Sequence, residues 1–354
     1  MFKKTKKNDR PLVSIIIPHL GGKEILLTCL KSIEMTVYQP REVLLIDNAS
    51  SDGSVEIALK QFPWLQIIRN ERNLGFAGGC NVGFQHANGK YILILNNDTK
   101  FEGDWLDRMV EVMESDERIA ACQPKILSLK NPETFDYAGA AGGMIDIFGY
   151  PFARGRIFFT LEKDERQYDT PAEIFWASGT ATLLRKSVLQ QSGLFDEDFF
   201  AHMEEIDLNW RFHLLGYRVV AVPQAVVYHQ GGGTLSESNP FKMYLNHRNS
   251  LIMLLKNYSL ANLLWIFPIR FLLEFLTFFY TLINLDLARM RALPKALGFI
   301  LINCGKILQK RRGVQKIRQI SDSQILDKMY RNSIVFAYFI RRIRRFQDLN
   351  FEIK

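Results

Sequence analysis

Four short stretches of the 354-residue chain combine acids, amides and a histidine in patterns that could do chemistry. In LLIDNASSDGS, Asp47 closes an apolar run and Asp52-Gly53 opens a helix. A carboxylate at a strand end can accept the N3–H of a uracil or thymine, and the turn leaves room for a ribose. The same two acids could instead close a loop and cap a helix. In YILILNNDTK the apolar run ends in Asn96-Asn97-Asp98, a tip that a buried strand does not need and a turn tolerates. Asp98 could there share a hard cation with a diphosphate that must leave as a multiply charged anion.

In FDEDFFAHMEEIDLNWRFHLLGYRV, Glu204, Asp207 and Arg211 share one helix face, Asp207 and Arg211 being spaced to pair. Glu205 points about 100° away from that stripe. Three acids in a first turn complement the helix dipole; a Glu at the mouth of a site is also what takes a proton from an attacking hydroxyl. His229 ends AVVYHQGGGT, and the glycines after it imply close backbone approach beside the same crevice.

The elements that must position these groups are legible as alternating runs. Val13–Ile17, Val43–Ile46, Leu65–Ile68 and Tyr91–Leu95 read as strands. Helical spacing occupies 23–37, Val55–Gln61 and Phe76–Ala87 between them. This alternation predicts a parallel sheet covered on both faces, with its ligand beyond the carboxyl ends of the strands. From Pro124 to Thr170 the pattern loosens into GAAGG and charged stretches, which predicts long loops over the active face. Regularity returns at Ile174–Leu184, in a helix from Met203 to Leu215, and in strands Arg218–Val222 and Ala225–His229.

Composition narrows the class. A hydrophobic share of 47% and a charged share of 23% belong to a folded protein. Cys29, Cys80, Cys122 and Cys304 lie far apart without a CxxC pair, which fits a reducing compartment better than a disulfide framework or a zinc site. No apolar run precedes Val13, so no secretory signal peptide is expected. Charge is uneven: Arg289–Lys354 holds 16 Lys and Arg against 4 Asp and Glu, leaving 29 against 33 in the first 288 residues. A basic tail on a slightly acidic body suggests an anionic partner, lipid or nucleic acid.

Taken in order, these segments resemble the inverting glycosyltransferases of family 2, which have the GT-A fold. VSIIIPHLGGKEILLTCLKSI, LLIDNASSDGS, NLGFAGGCNVGFQHANGKYILILNNDT, FWASGTATLLRKSV, FDEDFFAHMEEIDLNWRFHLLGYRV and VVYHQGGGT carry the resemblance from about Leu12 to Asn249. The subgroup is similar to the rhamnosyltransferase-like enzymes of surface polysaccharide assembly. The resemblance implies an α/β fold with a nucleotide-sugar-binding sheet flanked by helices. It implies a donor site of Pro18, Asp47, Asp52, Asn73, Gly75, Asn81, Asn97 and Asp98, with Trp176 and Gly179 on the acceptor side. Asp98 and His229 would hold a divalent cation, Mn2+ or Mg2+. Glu205 would be the base, with Glu204 and Asp207 beside it. Asn48 stands where the family has a second Asp, Asn96 where it has the first Asp of DxD, and Glu205 where Asp is commoner.

The expected reaction moves a sugar, rhamnose or another hexose, from a nucleotide diphosphate to a glycan or polyprenyl-linked acceptor. Two other classes are a silent nucleotide-sugar-binding scaffold and a sugar-phosphate nucleotidyltransferase. The latter should carry a glycine-rich phosphate loop after its first strand, where this chain has only Gly21-Gly22.

The chain divides on paper into a basic tail 1–11, a catalytic domain 12–255 and a helical region 256–354. Leu260–Ile283 is long enough to span a bilayer, yet it holds Pro268, Arg270 and Glu274, the last two spaced to pair. One span would separate the catalytic domain from the basic tail, which both belong on the cytoplasmic side. Pro294–Leu308 covers only about 22 Å and cannot supply a second. Helices lying in the interface of the cytoplasmic face, cations on an anionic headgroup surface, satisfy every constraint. A helical bundle packed on the catalytic domain or on another subunit is the alternative, so a homo-oligomer stays open. The tail lacks a nucleic-acid motif, which argues against that partner.

Overall fold

A computed structural model describes residues 10–231, 239–283 and 286–351. Most of the basic tail 1–11, with Gly232 and Gly233, lies outside these described residues.

Local pattern accounts for most elements. Strand β1 (Val13–His19) carries the apolar run Ile15–Ile17 and is buried at every position but Pro18, as a strand in a doubly covered sheet must be. Helix α1 (Lys23–Glu34) buries Leu26, Cys29, Leu30 and Ile33, the stripe of an amphipathic helix. The alternation continues through β2 (Arg41–Asp47), α2 (Ser54–Gln61), β3 (Gln66–Arg69), α3 (Gly75–His86), β4 (Tyr91–Leu95), β5 (Thr99–Phe101), α4 (Trp105–Ser115) and β6 (Ile119–Ser128). Four short strands follow: β7 (Gly143–Ile145), β8 (Pro151–Ala153), β9 (Arg156–Ile157) and β10 (Thr160–Leu161). Then come β11 (Ala172–Ile174), β12 (Ala181–Arg185), α5 (Lys186–Ser192), a 3-10 turn at Glu197–Phe199, α6 (Glu204–Leu214) and β13 (Arg218–His229).

Nine strands make one sheet in the order β11-β13-β6-β12-β4-β1-β2-β3, with β5 added on β13. Strands β3, β2, β1 and β4 are parallel, as expected. The sheet as a whole is mixed, because β12 lies antiparallel between β4 and β6. Hydrophobic runs report burial and not direction, so this reversal could not be read from them. Side chains alternate between two cores. Ile16, Leu44, Ile46, Ile92 and Ile94 enter one, while Ile15, Ile17, Leu45, Leu93 and Leu95 enter the other, the period of two that a strand imposes.

Two other expectations are corrected. The stretch 124–170 is not simply loop, since β7 to β10 form a four-stranded antiparallel sheet. Its strands are only two or three residues long, too short to show a period. Arg218–His229 is one strand with an irregular register between Val222 and Val226, not two.

The C-terminal region is helical: α7 (Pro240–Asn257), α8 (Leu260–Ile283), α9 (Leu287–Ile302), α10 (Cys304–Ile317), α11 (Asp322–Leu326) and α12 (Ile334–Phe339). The division expected near 255 falls inside α7, and bonds to the body continue past it. Asn257 Nδ2 donates to Asp207 Oδ1 at 2.8 Å and Tyr258 donates to Ile147 O at 2.8 Å. Tyr330, Tyr338, Phe346 and Leu349 belong to the same core as Ile16.

Helix α8 is the one described helix long and apolar enough to cross a membrane. Arg270 and Glu274 do pair, and both are buried against the body. Arg270 donates to Phe148 O and Ser250 Oγ, each at 2.9 Å, and lies over the Tyr150 ring. The other side of α8 exposes Leu264, Leu272, Leu276, Phe279 and Ile283.

Candidate active site

The carboxyl ends of β1, β2 and β3 lie level: His19 is the register partner of Asp47, and Asp47 of Arg69. Asp47 Oδ1 accepts from Ser50 N at 2.8 Å and so closes the turn after β2. Asp52 Oδ2 accepts from Gly22 N at 2.7 Å, and its Oδ1 from the Ser54 amide and hydroxyl. The Ser54 hydroxyl and these amides hold the Asp52 carboxyl low, at about 2. Asp52 thus ties the start of α1 to the start of α2 beside Pro18 and His19.

His19, the last residue of β1, is a connector. Asn97 Nδ2 donates to His19 Nδ1 at 2.8 Å, so the ring proton sits on Nε2, 2.8 Å from Ser54 Oγ. Burial lowers the His19 pKa against the pull of Asp52 and Asp47, keeping the ring neutral and able to accept on one side. The chain Asn97–His19–Ser54–Asp52 joins the tip after β4 to the turn that follows β2.

Asn48 has a physical reason to be an amide. Its Nδ2 donates to Gly75 O at 3.1 Å while its Oδ1 accepts from Asn70 at 2.9 Å; a carboxylate could not do the first. Asn73 caps Gly75 N at 2.8 Å. Gly75 has φ +73°, and a Cβ there would lie 2.4 Å from Phe200 O, so this helix start accepts no side chain. Asn81 clamps the segment before α6, donating to Phe195 O and Glu197 and accepting from Phe195 N.

At the end of β4, Asn96 N donates to Thr180 O at 2.9 Å, bringing the Asn-Asn-Asp tip against the 178–180 loop. His229 pairs with Thr99 across β13 and β5. Its Nε2 lies 3.1 Å from Asp98 Oδ1 and its Nδ1 lies 2.9 Å from Asp136 Oδ1. Burial alone would lower the His229 pKa, but Asp136 and Asp98 outweigh it and raise it to about 10. Asp136 is a residue that sequence reasoning missed, 93 positions from its partner. Asp98 Oδ1 is buried without a hydrogen bond of good geometry. A carboxylate oxygen and an imidazole nitrogen 3.1 Å apart, the ring backed by a second carboxylate, are a donor set that fits Mn2+ or Mg2+. Among the described residues no group of three or more His, Cys, Asp or Glu is placed to hold an ion by itself, so the remaining ligands would be diphosphate and water.

The acids of α6 divide. Asp207 Oδ2 is 3.1 Å from Arg211 Nε and 3.0 Å from Lys256 Nζ, and its Oδ1 accepts from Asn257. These contacts assign Asp207 to the joint between α6 and α7. Glu204 Oε2 and Glu205 Oε2 are buried and have no partner. Burial raises both carboxyls, and the neighbouring Glu205 charge raises Glu204 further. Glu205 is the less buried residue.

The loop that delivers this pair is strained. Phe200, His202 and Met203 all have positive φ, at 62°, 68° and 72°, a cost that such loops pay at functional sites. One amide holds it: Asn249 Nδ2 donates to Phe199 O, Ala201 O and His202 O at 3.0, 2.9 and 2.7 Å. Arg248 adds bonds to Asp198 O and Phe199 O. Ala77 N donates to Phe200 O at 3.1 Å, seating the loop on the start of α3. On the far wall, Gly179 lies against the Phe76 ring. Trp176 is buried, its indole donating to Met144 O at 2.8 Å. A Cβ on Gly143 would lie 2.1 Å from that indole, so Trp176 supports the wall from behind.

Known proteins bear on this geometry. The profile of glycosyl transferase family 2 matches residues 14–193. N-acetylglucosaminyl-diphospho-decaprenol L-rhamnosyltransferase of Mycobacterium tuberculosis is 26% identical over 248 residues, covering 65% of this chain and 80% of that one. O-antigen biosynthesis protein RfbC of Myxococcus xanthus is 30% identical over 241 residues, covering 65% of this chain and 18% of that much longer one. Among solved structures, GalNAc-T7 with UDP, GalNAc and Mn2+ superposes with a TM-score of 0.56 at 17% identity, covering 70% of this chain and 48% of the other. A mannosyltransferase from Pyrobaculum calidifontis, in complex with GDP-Man and Mn2+, gives 0.51 at 17% identity, with 84% and 76% covered. At such identities the structural likeness speaks to the fold, which is that of the GT-A enzymes.

Proposed function

The chain belongs to glycosyl transferase family 2, and on that premise we propose an inverting transfer of a hexosyl group, rhamnose being the leading candidate, from a nucleotide diphosphate to a lipid-linked or glycan acceptor in cell-surface polysaccharide assembly. The observations that carry this reading are Asp98 beside His229 and, on α6, two buried carboxyls that each keep one oxygen without a partner. The rhamnosyltransferase relative, whose name specifies a diphospho-decaprenol acceptor, supports the acceptor class.

In this mechanism Pro18, Asp47 and Asp52 receive the nucleoside, with Asn97 held by His19. Asn73, Gly75 and Asn81 act on the donor indirectly, by fixing the start of α3 and the loop against it. Asp98 Oδ1 and His229 Nε2 would hold a divalent cation, which supplies charge neutralisation for the diphosphate. Glu205 takes the proton of the acceptor hydroxyl as that oxygen attacks the anomeric carbon from the face opposite the diphosphate, and the configuration inverts. Glu204 beside it keeps the pair's shared charge low. Trp176 and Gly179 shape the acceptor wall.

The exposed row on α8 supports a place on a membrane. Arg312, Lys316, Arg341, Arg342 and Arg345 are exposed cations of the C-terminal region, suited to anionic headgroups of a cytoplasmic leaflet. Other tail cations are engaged internally, Lys306 with Asp198 and Lys328 with Glu173 among them. The test is a panel of UDP-, dTDP- and GDP-sugars with Mn2+ and a polyprenyl-diphosphate-linked acceptor, with product anomers read by NMR. Inverted product from one donor is expected. Retained configuration, or neither transfer nor donor hydrolysis with any of them, would defeat the reading.

A further inference from the structure

A second cleft lies away from this crevice. Its volume is about 1310 Å3, and it opens between the small sheet, the edge strand β11 and the C-terminal residues. The distance of its far wall from the cation site follows from register. Glu173 on its wall pairs with Val220 of β13, and His229 is nine residues further along that strand. At about 3.3 Å per residue that wall is roughly 30 Å from the cation site, while the Arg154 end is nearer, Gly155 packing against Phe135 beside Asp136.

Three features give it a chemical character. Arg154 lines it and is 7% exposed. Its guanidinium has one hydrogen bond, to Ala141 O at a long 3.4 Å, and lies over the Tyr168 ring at 5.1 Å. Among the described residues no carboxylate pairs with it. Burial lowers its pKa, the mark of a cation short of compensation, and a buried guanidinium ordinarily has an anion opposite it. The acids of the wall are already committed, Glu173 to Arg218 and Lys328 and Asp327 to Arg331. The lining also includes the rings of Tyr168, Tyr330 and Phe346 and the amide of Gln347, the Gln167 amide being bonded to Lys163 O and Glu165 N. Aromatic faces with planar amides suit the C–H faces and hydroxyls of a sugar ring.

We propose that this cleft is a second, non-catalytic binding site for a saccharide carrying one anionic group, a carboxylate or a phosphate, with Arg154 as its counter-ion. The group arrives already charged, so no bond is made or broken there. Such a site lets the enzyme hold a glycan outside the transfer crevice, and it stands independently of the catalytic reading.

The experiment titrates the full chain, saturated with UDP and Mn2+ to occupy the crevice, with glucuronate, glucose 6-phosphate, glucose and inorganic phosphate by calorimetry. Glucuronate or glucose 6-phosphate should bind at least tenfold more tightly than glucose and inorganic phosphate. Arg154→Gln should reduce the anionic sugar to the level of glucose, while Arg154→Lys keeps part of the preference. Asn332→Trp, at an exposed rim position of the cleft, should block entry without touching the core, which covers the case in which Arg154→Gln does not fold. Asp98→Ala should leave this binding unchanged, which separates its failure from that of the catalytic reading. Equal affinity in Arg154→Gln, no preference over glucose, inorganic phosphate binding as well as the anionic sugars, or no binding of any probe would overturn the proposal.

Discussion

At the scale of single residues, the α6 pair and the His229 relay carry the sharpest expectations. Glu205→Gln should abolish transfer while UDP affinity, measured by calorimetry, stays near wild type; appreciable turnover would remove Glu205 as the base. Glu204→Gln tests the buried charge. Its folded-state carboxyl is raised above the ordinary 4.5, so ionisation costs little at pH 5 and progressively more as pH rises through the folded value. The variant should therefore raise the melting temperature more at pH 8 than at pH 5, and an equal shift at both would contradict the assignment. Asp136→Ala should weaken Mn2+-supported UDP binding by about 10- to 100-fold, as read by titrations with and without the ion. Asp47, Asp98, Glu205 and His229 were all legible as strand-end or helix-start residues. Asp136 was not, because its value lies in a contact across 93 positions, and no local pattern marks such a pair. Asp207 could be read either as a catalytic neighbour or as Arg211's partner; it does pair with Arg211, and Lys256, distant in sequence, joins the pair.

Elements show the same division. Strands β1, β2 and β4 and their helices follow from periodicity, since each buries a continuous run or a stripe of its own sequence, while the edge strand β3 only half-buries Ile67 and Ile68. The reversed β12, the small sheet and the strained loop before α6 do not, because partners distant in sequence impose them. That loop is where an element becomes functional. Asn249→Ala removes the amide that holds three carbonyls, and the loop's positive-φ residues gain freedom to relax. We expect kcat to fall on the order of 10- to 100-fold with little change in donor KM, and steady-state kinetics on the folded variant would show it. A matched loss in KM alone would place Asn249 elsewhere in the mechanism. On α8 the Arg270–Glu274 pair fixes which side faces the body. Leu272→Glu with Leu276→Glu should lower cosedimentation with anionic vesicles by at least about tenfold, since each buried leucine contributes roughly 2 kcal/mol. Unchanged binding would remove α8 from the contact.

For the whole molecule, the order of the sequence sets an order of events. Tyr330, Phe346 and Leu349 complete the core that holds Phe152 and Tyr168, and Leu349 is made 66 residues after Ile283 ends α8. At about 5–20 residues per second that is an interval of roughly 3 to 13 s. Over that interval the apolar row of α8 runs ahead of the residues that cover part of the body behind it. A nascent chain in that state has two greasy surfaces and only one of them has a partner yet to be synthesised; the other must find its neighbour in whatever lies beside the ribosome.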